Sequence, residues 1–367
     1  MGFTLTHQDL EDLARGAAFL GTGGGGDPYC GRLMVQQAIA DGHTVEVIGL
    51  DEVPDDALII PTAMMGAPTV LVEKIPKGDE AIQSLKTLEK HLGRKAFATM
   101  PIECGGINST MPLVVGARLG LPVVDADGMG RAFPELQMET FHVYGVPGTP
   151  MVITNEYGDS TLITTHDNLM MEWLARGVTI RMGGAAYIAE YVMDGRTAKR
   201  VSVPNTLSLN LIIGRGLREA RERKEDPFVA LIRLLRDTPY SYGTIIFAGK
   251  IADVLRRTTE GFAKGQAMLQ SLDGADETME IIFQNENLVA RVNGQVRAIV
   301  PDLICILDNE TAEPITTEGL KYGQRVKVMA VAVPEIMRTP EALAVFGPHA
   351  FGLDEEFQPI ETLTQGE

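Results

Sequence analysis

Apolar positions recur first with helical and later with strand periodicity along this chain. Over residues 7–19, Leu10, Leu13, Ala14, Ala17 and Ala18 keep one face of a helix, with Thr6 placed as its N-cap. A second helix is predicted to open at Asp27-Pro28 and to stop at Gly42. Aspartate suits the cap and proline the first turn. The same periodicity predicts helices over residues 79–92, 110–119, 166–175, 206–223 and 228–235. Between them, residues 44–48, 57–63, 95–99 and 122–125 read as strands, and MMGAPT (residues 64–69) reads as a loop. Residues 151–154 and 160–164 suggest a hairpin. Repetition of strand, loop and helix implies a mostly parallel sheet with helices on its faces. After Pro239 the pattern changes. Short apolar runs at 278–283, 288–292, 295–300, 303–307 and 325–333 are separated by Asn-Glu-Asn, Asn-Gly, Pro-Asp and Asp-Asn turns, and residues 243–258 read as a strand passing into irregular or further extended chain. The predicted fold is α/β: a layered N-terminal domain on a mostly parallel sheet, and a C-terminal domain containing a small β-barrel or sandwich.

The length of 367 residues favours two domains. They are expected at 1–165 and 166–367, the second made of a helical segment (166–239), a β-rich module (about 240–340) and an acidic, loose tail. A net charge of −17 repels a phosphate backbone and sets nucleic acid aside as a partner. The longest apolar runs, such as residues 299–307, contain Pro301 and Asp302 and are too short to span a bilayer. The N-terminus lacks the basic start and apolar core of a secretory leader. Cys30, Cys104 and Cys305 form no CxxC pair and point to a reducing, cytoplasmic setting. The single tryptophan, Trp173, falls on an apolar helical stripe and is expected in the core.

Three stretches carry chemistry. In GTGGGGDP, the amides of Gly23, Gly24, Gly25 and Gly26 can converge beside a helix N-terminus and hold an anionic group of a substrate. A helix rather than a strand precedes these glycines, which argues against a dinucleotide fingerprint, and no GK[ST] ending follows. PIECGGIN follows a predicted strand. Glu103 there can act as acid or base, Asn108 can bind a substrate carbonyl, and Cys104 can serve as a nucleophile if a neighbour lowers its pKa. In VDADGMGRAFPE, Asp125 and Asp127 leave a strand end two residues apart, a spacing suited to acid–base work or to a divalent metal. Arg131 and Glu135 follow as candidate substrate-binding residues. No motif requires a metal, the histidines form no HxH or HxxxH pair, and the cofactor is left unknown.

LGTGGGGDP, PIECGGIN and VDADGMGRAFPELQM, followed by IGRGLREA, GKIADVLRRTTEGFAKG and VPDLICILD, resemble the S-methyl-thiohydantoin desulfurase family, over nearly the whole chain. The resemblance implies an N-terminal α/β domain, a C-terminal domain with a β-rich portion, and hydrolytic chemistry on a cyclic ureide or thio-ureide. In that reaction water replaces a methylthio group on the ring, leaving a hydantoin and methanethiol. The chemistry needs a base for water, for which Asp125, Asp127 and Glu103 are available, and an acid for the ring nitrogen or leaving sulfur. Attack by Cys104 is the other route. Family members are often encoded beside hydantoinases. The competing reading is a non-catalytic ligand-binding or regulatory subunit of a hydantoinase-type complex, supported by the lack of an established catalytic triad or metal motif. A homo-oligomer is also compatible with the strand edges of the β-rich module.

Overall fold

The computed structural model describes residues 2–67, 70, 74, 76–272, 274 and 276–365. The first helix, His7–Leu20, starts with a reciprocal capping box between Thr6 and Asp9, and Pro28–Ala40 starts where Asp27 accepts the Tyr29 N–H. Glu80–Leu92 and Met111–Leu119 end on Gly93 and Gly120, both left-handed.

Behind these helices lies a short parallel core. Val47 and Thr99 both pair with Val123, and Ile59 pairs with Ala98, all in parallel. Phe3–Thr4 and Met193–Asp194 fringe it antiparallel. Parallel pairing is thus confined to fragments, and the strand expected over 95–99 is reduced to isolated pairings. The chain leaves this sheet at Pro101, which has no N–H for a ladder.

A second, wholly antiparallel sheet departs from the expected pattern. Its order is Thr62–Gly66, Ala185–Ala189, Met151–Thr154, Ser160–Ile163. Pro61 breaks the chain between Leu58–Ile59 and this sheet, so Met64 and Met65 are strand residues rather than the loop expected there. Residues 68 and 69 of that loop lie outside the described residues. Ala185–Ala189 is an inner strand, so residues beyond 165 complete a sheet of the N-terminal half. Asn168–Arg181 runs past the helix end expected at 175 and turns Met171, Ala175 and Thr179 inward. Trp173 sits on another face of this helix, 70% exposed, and is not in the core. The helix carries apolar residues on two faces, and the fold covers one of them.

The C-terminal module is a seven-stranded antiparallel sheet curled into a half-barrel. Its order is Gln295–Ile299, Glu286–Val292, Thr278–Gln284, Phe262–Ser271, Gly243–Thr259, Arg325–Val331, Leu303–Asp308. The strand expected over 243–258 is present as Gly243–Thr259, bent by register shifts at Ile245/Phe247 and Ile251/Asp253, and further extended chain follows it as Phe262–Ser271. The tail, expected to be loose, is pinned. Arg291 pairs with Glu355, Arg338 with Glu361, and the Ile360 N–H donates to Asp302.

The two halves share one core, in which Phe19, Leu20 and Phe133 meet Leu303, Met329 and Phe346. Helices His7–Leu20 and Thr206–Glu222 approach backbone to backbone. A Cβ on Gly16 would stand 1.9 Å from the Asn210 carbonyl oxygen, and one on Gly214 would stand 1.7 Å from that of Asp12. Only glycine permits such an approach. Among the described residues, no helix is long and apolar enough to cross a membrane.

Candidate functional site

The glycine loop, PIECGGIN and the segment around Phe133 meet at a seam with the half-barrel. The glycine loop is stitched to that module. Thr22 Oγ1 bonds both the N–H and the carbonyl of Ile304, the Asn287 N–H donates to the Thr22 carbonyl, and the Thr317 N–H donates to the Gly23 carbonyl at 2.7 Å. Its glycines allow close contact. A Cβ on Gly24 would lie 2.1 Å from Glu286 Oε1, and one on Gly106 would lie 2.1 Å from the Gly25 carbonyl oxygen. The loop thus approaches a carboxylate that its own Gly25 N–H binds, at 3.1 Å.

A narrow cavity of about 40 Å³ opens in this seam, lined by Gly25, Met64, Glu103, Asn108, Phe133 and Glu286 among others. That is room for about three waters. Two carboxyl groups belong to it. Glu103 Oε1 accepts from Asn108 Nδ2 at 2.6 Å, and Oε2 accepts from the Phe133 N–H at 3.3 Å. Asn108 is itself fixed by the Met64 backbone: its Oδ1 accepts the N–H at 2.7 Å and its Nδ2 donates to the carbonyl at 3.0 Å. Glu286 is aimed by Asn285, which is left-handed and bonds Ala263 through its backbone N–H and its side chain. Oε2 of Glu286 has no hydrogen-bond partner among the described residues.

Both carboxyls are raised. Burial lifts Glu103 well above the ordinary range, and the neighbouring charges of Glu286 and Asp127 add to this. Burial also lifts Glu286, but the buried Arg131 guanidinium and the Gly25 N–H restrain it, leaving it at about 8. The guanidinium and N–H beside Glu286 favour its ionised form, whereas the carboxyl neighbours of Glu103 favour its protonated form. More acid lies behind them. Glu139 and Glu190 are fully buried, and their oxygens accept no hydrogen bond among the described residues. Burial pushes both well up, with the charge of Glu190 adding at Glu139 and that of Glu172 adding at Glu190. No group of three or more His, Cys, Asp or Glu among the described residues is placed to hold a metal ion.

Of the residues singled out from sequence, Glu103, Asn108, Gly25 and Glu135 line this cavity together. The others are placed differently. Asp125 accepts the Leu207 and Ser208 N–H groups on Oδ1, at 2.9 and 3.0 Å, and the Ser208 hydroxyl on Oδ2. It caps helix Thr206–Glu222 from a distant loop. Asp125→Ala is accordingly expected to cost about 2 kcal/mol in denaturant unfolding and to leave any turnover near wild type. Asp127 Oδ2 gathers the N–H groups of Cys104, Met129 and Gly130, and burial still lifts it to about 7. Burial, then the charges of Asp127 and Glu103, push the Cys104 thiol well above its ordinary range, which works against a thiolate. Arg131, 0% exposed, gives its donors to the carbonyls of Ala132, Pro301, Asp302 and Asn287. Gly23 and Gly24 serve the seam with the half-barrel.

Sequence reasoning missed Glu286, Glu139, Glu190 and Arg176. Glu286 lies in Asn-Glu-Asn, which has the composition of a solvated turn. Its one signal was an acidic residue two positions before the apolar run that opens at Leu288.

Residues 8–165 match the S-Me-THD-like N-terminal domain, and residues 166–360 match the S-Me-THD-like C-terminal domain. No curated protein matches the chain. Among solved structures, the crystal structure of a protein from Chromobacterium violaceum is similar with a TM-score of 0.80 at 25% identity, covering 98% of this chain and 100% of that one. With the two family domains following one another from residue 8 to residue 360, the chain belongs to the S-Me-THD-like family.

Proposed function

We propose that the chain is a hydrolase of a hydantoin-like ring, in which water displaces the methylthio group of an S-methyl-thiohydantoin, with Glu286 as base and Glu103 as acid. The observation that carries this reading is the pair of buried carboxyls in one cavity, Glu286 restrained by the Arg131 guanidinium and Glu103 raised further by neighbouring carboxyls. Such a split is what acid–base chemistry requires of two like groups. Membership of the S-Me-THD-like family supports a ring of this kind as the substrate.

Ionised Glu286 takes a proton from water through the unpartnered Oε2, and the hydroxide adds to the ring carbon doubly bonded to nitrogen. Protonated Glu103 gives its proton to that nitrogen. As the carbonyl forms, the adduct's O–H proton returns to Glu103. The carbon–sulfur bond breaks, and the leaving methylthiolate takes the proton held on Glu286. Water is consumed, hydantoin and methanethiol are released, and both carboxyls are restored. A five-membered ring needs more than the free space of the cavity, so in this reading admission requires the rim at Glu135 and Arg176 to part.

A pH–rate profile tests the assignment. The base must be ionised, and its proton affinity is raised. Activity should therefore be low in mild acid, rise through a midpoint of about 8 as Glu286 loses its proton, and fall at higher pH as Glu103 loses its own. A rate that declines steadily from pH 5 upward would rule out Glu286 as the base. Absence of thiol release at every pH would favour the ligand-binding subunit instead.

A further inference from the structure

Outside the narrow cavity lies an open groove of about 1070 Å³. Glu135 and Arg176 line both spaces, so the groove adjoins the cavity across them. The volume is at the upper end of what ligand sites enclose. One wall is the outer face of helix Asn168–Arg181, where Leu169, Trp173 and Ile180 are 63%, 70% and 48% exposed. Their spacing places them along one helical face. At the rim, Arg176 donates from Nε to Glu172 at 2.6 Å and from a terminal nitrogen to the Pro134 carbonyl at 2.9 Å, and its guanidinium lies 4.4 Å from the ring centre of Phe262. Phe262 also lines the groove.

Large apolar side chains exposed side by side in a concave surface are unfavourable unless something covers them. The inner cavity, by contrast, is small, acidic and hydrogen-bonding. It suits a compact polar head and has no room for a bulky substituent.

We infer that this groove receives a large apolar substituent carried by the ligand whose polar ring is held at Glu103 and Glu286, and that Trp173 sets the preference for it. The inference rests on the ring reading above and extends it to a substrate class: 5-substituted ring compounds with an aryl or branched alkyl arm. Trp173 is a specificity-determining residue here, outside the reacting groups.

Trp173 is also the sole tryptophan, so its emission reports occupancy of the groove directly. The test compares unsubstituted S-methyl-thiohydantoin with its 5-benzyl derivative. It reads Trp173 fluorescence on titration, and kcat/KM from thiol release for wild type, Trp173→Phe and Trp173→Ala. The benzyl compound should change Trp173 emission and exceed the unsubstituted one in kcat/KM by about tenfold or more. Trp173→Ala should erase most of that ratio, Trp173→Phe should retain much of it, and neither should change kcat/KM for the unsubstituted ring. Equal kcat/KM for both compounds, or a ratio unmoved by Trp173→Ala, overturns the groove assignment while the ring chemistry stands. Failure to turn over either compound overturns both. Emission that shifts with protein concentration alone, together with a dimer in sedimentation that Trp173→Ala dissolves, assigns the groove to a second copy of the chain and overturns the inference.

Discussion

Glu286→Gln is expected to lower turnover by about two to four orders of magnitude while leaving the fold intact. Glutamine is nearly isosteric and still offers an oxygen to the Gly25 N–H, which the wild-type carboxyl accepts at 3.1 Å. It cannot accept a proton from water. Residual activity should lose the rise through about 8 that wild-type Glu286 imposes. Removing a group that costs energy to ionise in the interior should also raise alkaline stability. The sign follows from linkage. A carboxyl whose folded pKa lies above its unfolded one binds more protons when folded, so its contribution falls as pH rises from about 4 to about 8. Glu103→Gln should be comparably inactive, because the amide donates a hydrogen bond but no proton. Thermal melting near neutral pH, together with thiol-release kinetics, separates loss of chemistry from loss of fold.

Arg131→Met is expected to damage stability instead, by about 3–5 kcal/mol. The guanidinium is 0% exposed and holds the carbonyls of Ala132, Pro301, Asp302 and Asn287, joining the loop after Asp127 to the half-barrel. Methionine fills much of the space but leaves four buried carbonyl acceptors without this donor. Lysine keeps the charge and loses the fork that reaches several carbonyls at once. The decisive readout is a split. The unfolding midpoint should fall sharply, while KM in whatever protein remains folded should stay near wild type. A raised KM with unchanged stability would return Arg131 to the substrate.

Some of this site was legible because its signals are local. Glu103 and Asn108 sit in a loop just after a predicted strand segment, where α/β folds present ligand-binding groups, and the glycines announce a close backbone approach. The seven strands of the half-barrel were largely readable from turn residues and apolar runs. What escaped depends on distant partners. Thr62–Gly66 pairs with Ala185–Ala189, and nothing near either segment names the other. Asp125 resembles a catalytic acid from its spacing with Asp127, until a helix that begins far downstream turns out to need its cap. Glu286 looks like a turn residue until the glycine loop folds over it. Trp173 lies on an apolar stripe, and periodicity gives no information on whether a second layer covers that stripe.

The most direct measurement incubates the purified chain and its Glu286→Gln variant with an S-methyl-thiohydantoin in water enriched in the heavy oxygen isotope, and follows thiol release and ring mass together. The account predicts methanethiol and hydantoin in equal amounts from wild type, one heavy oxygen on the ring carbon that carried sulfur, and almost no product from the variant. Thiol release by the variant at the wild-type rate, or a wild-type protein that binds the ring and releases nothing, would contradict it.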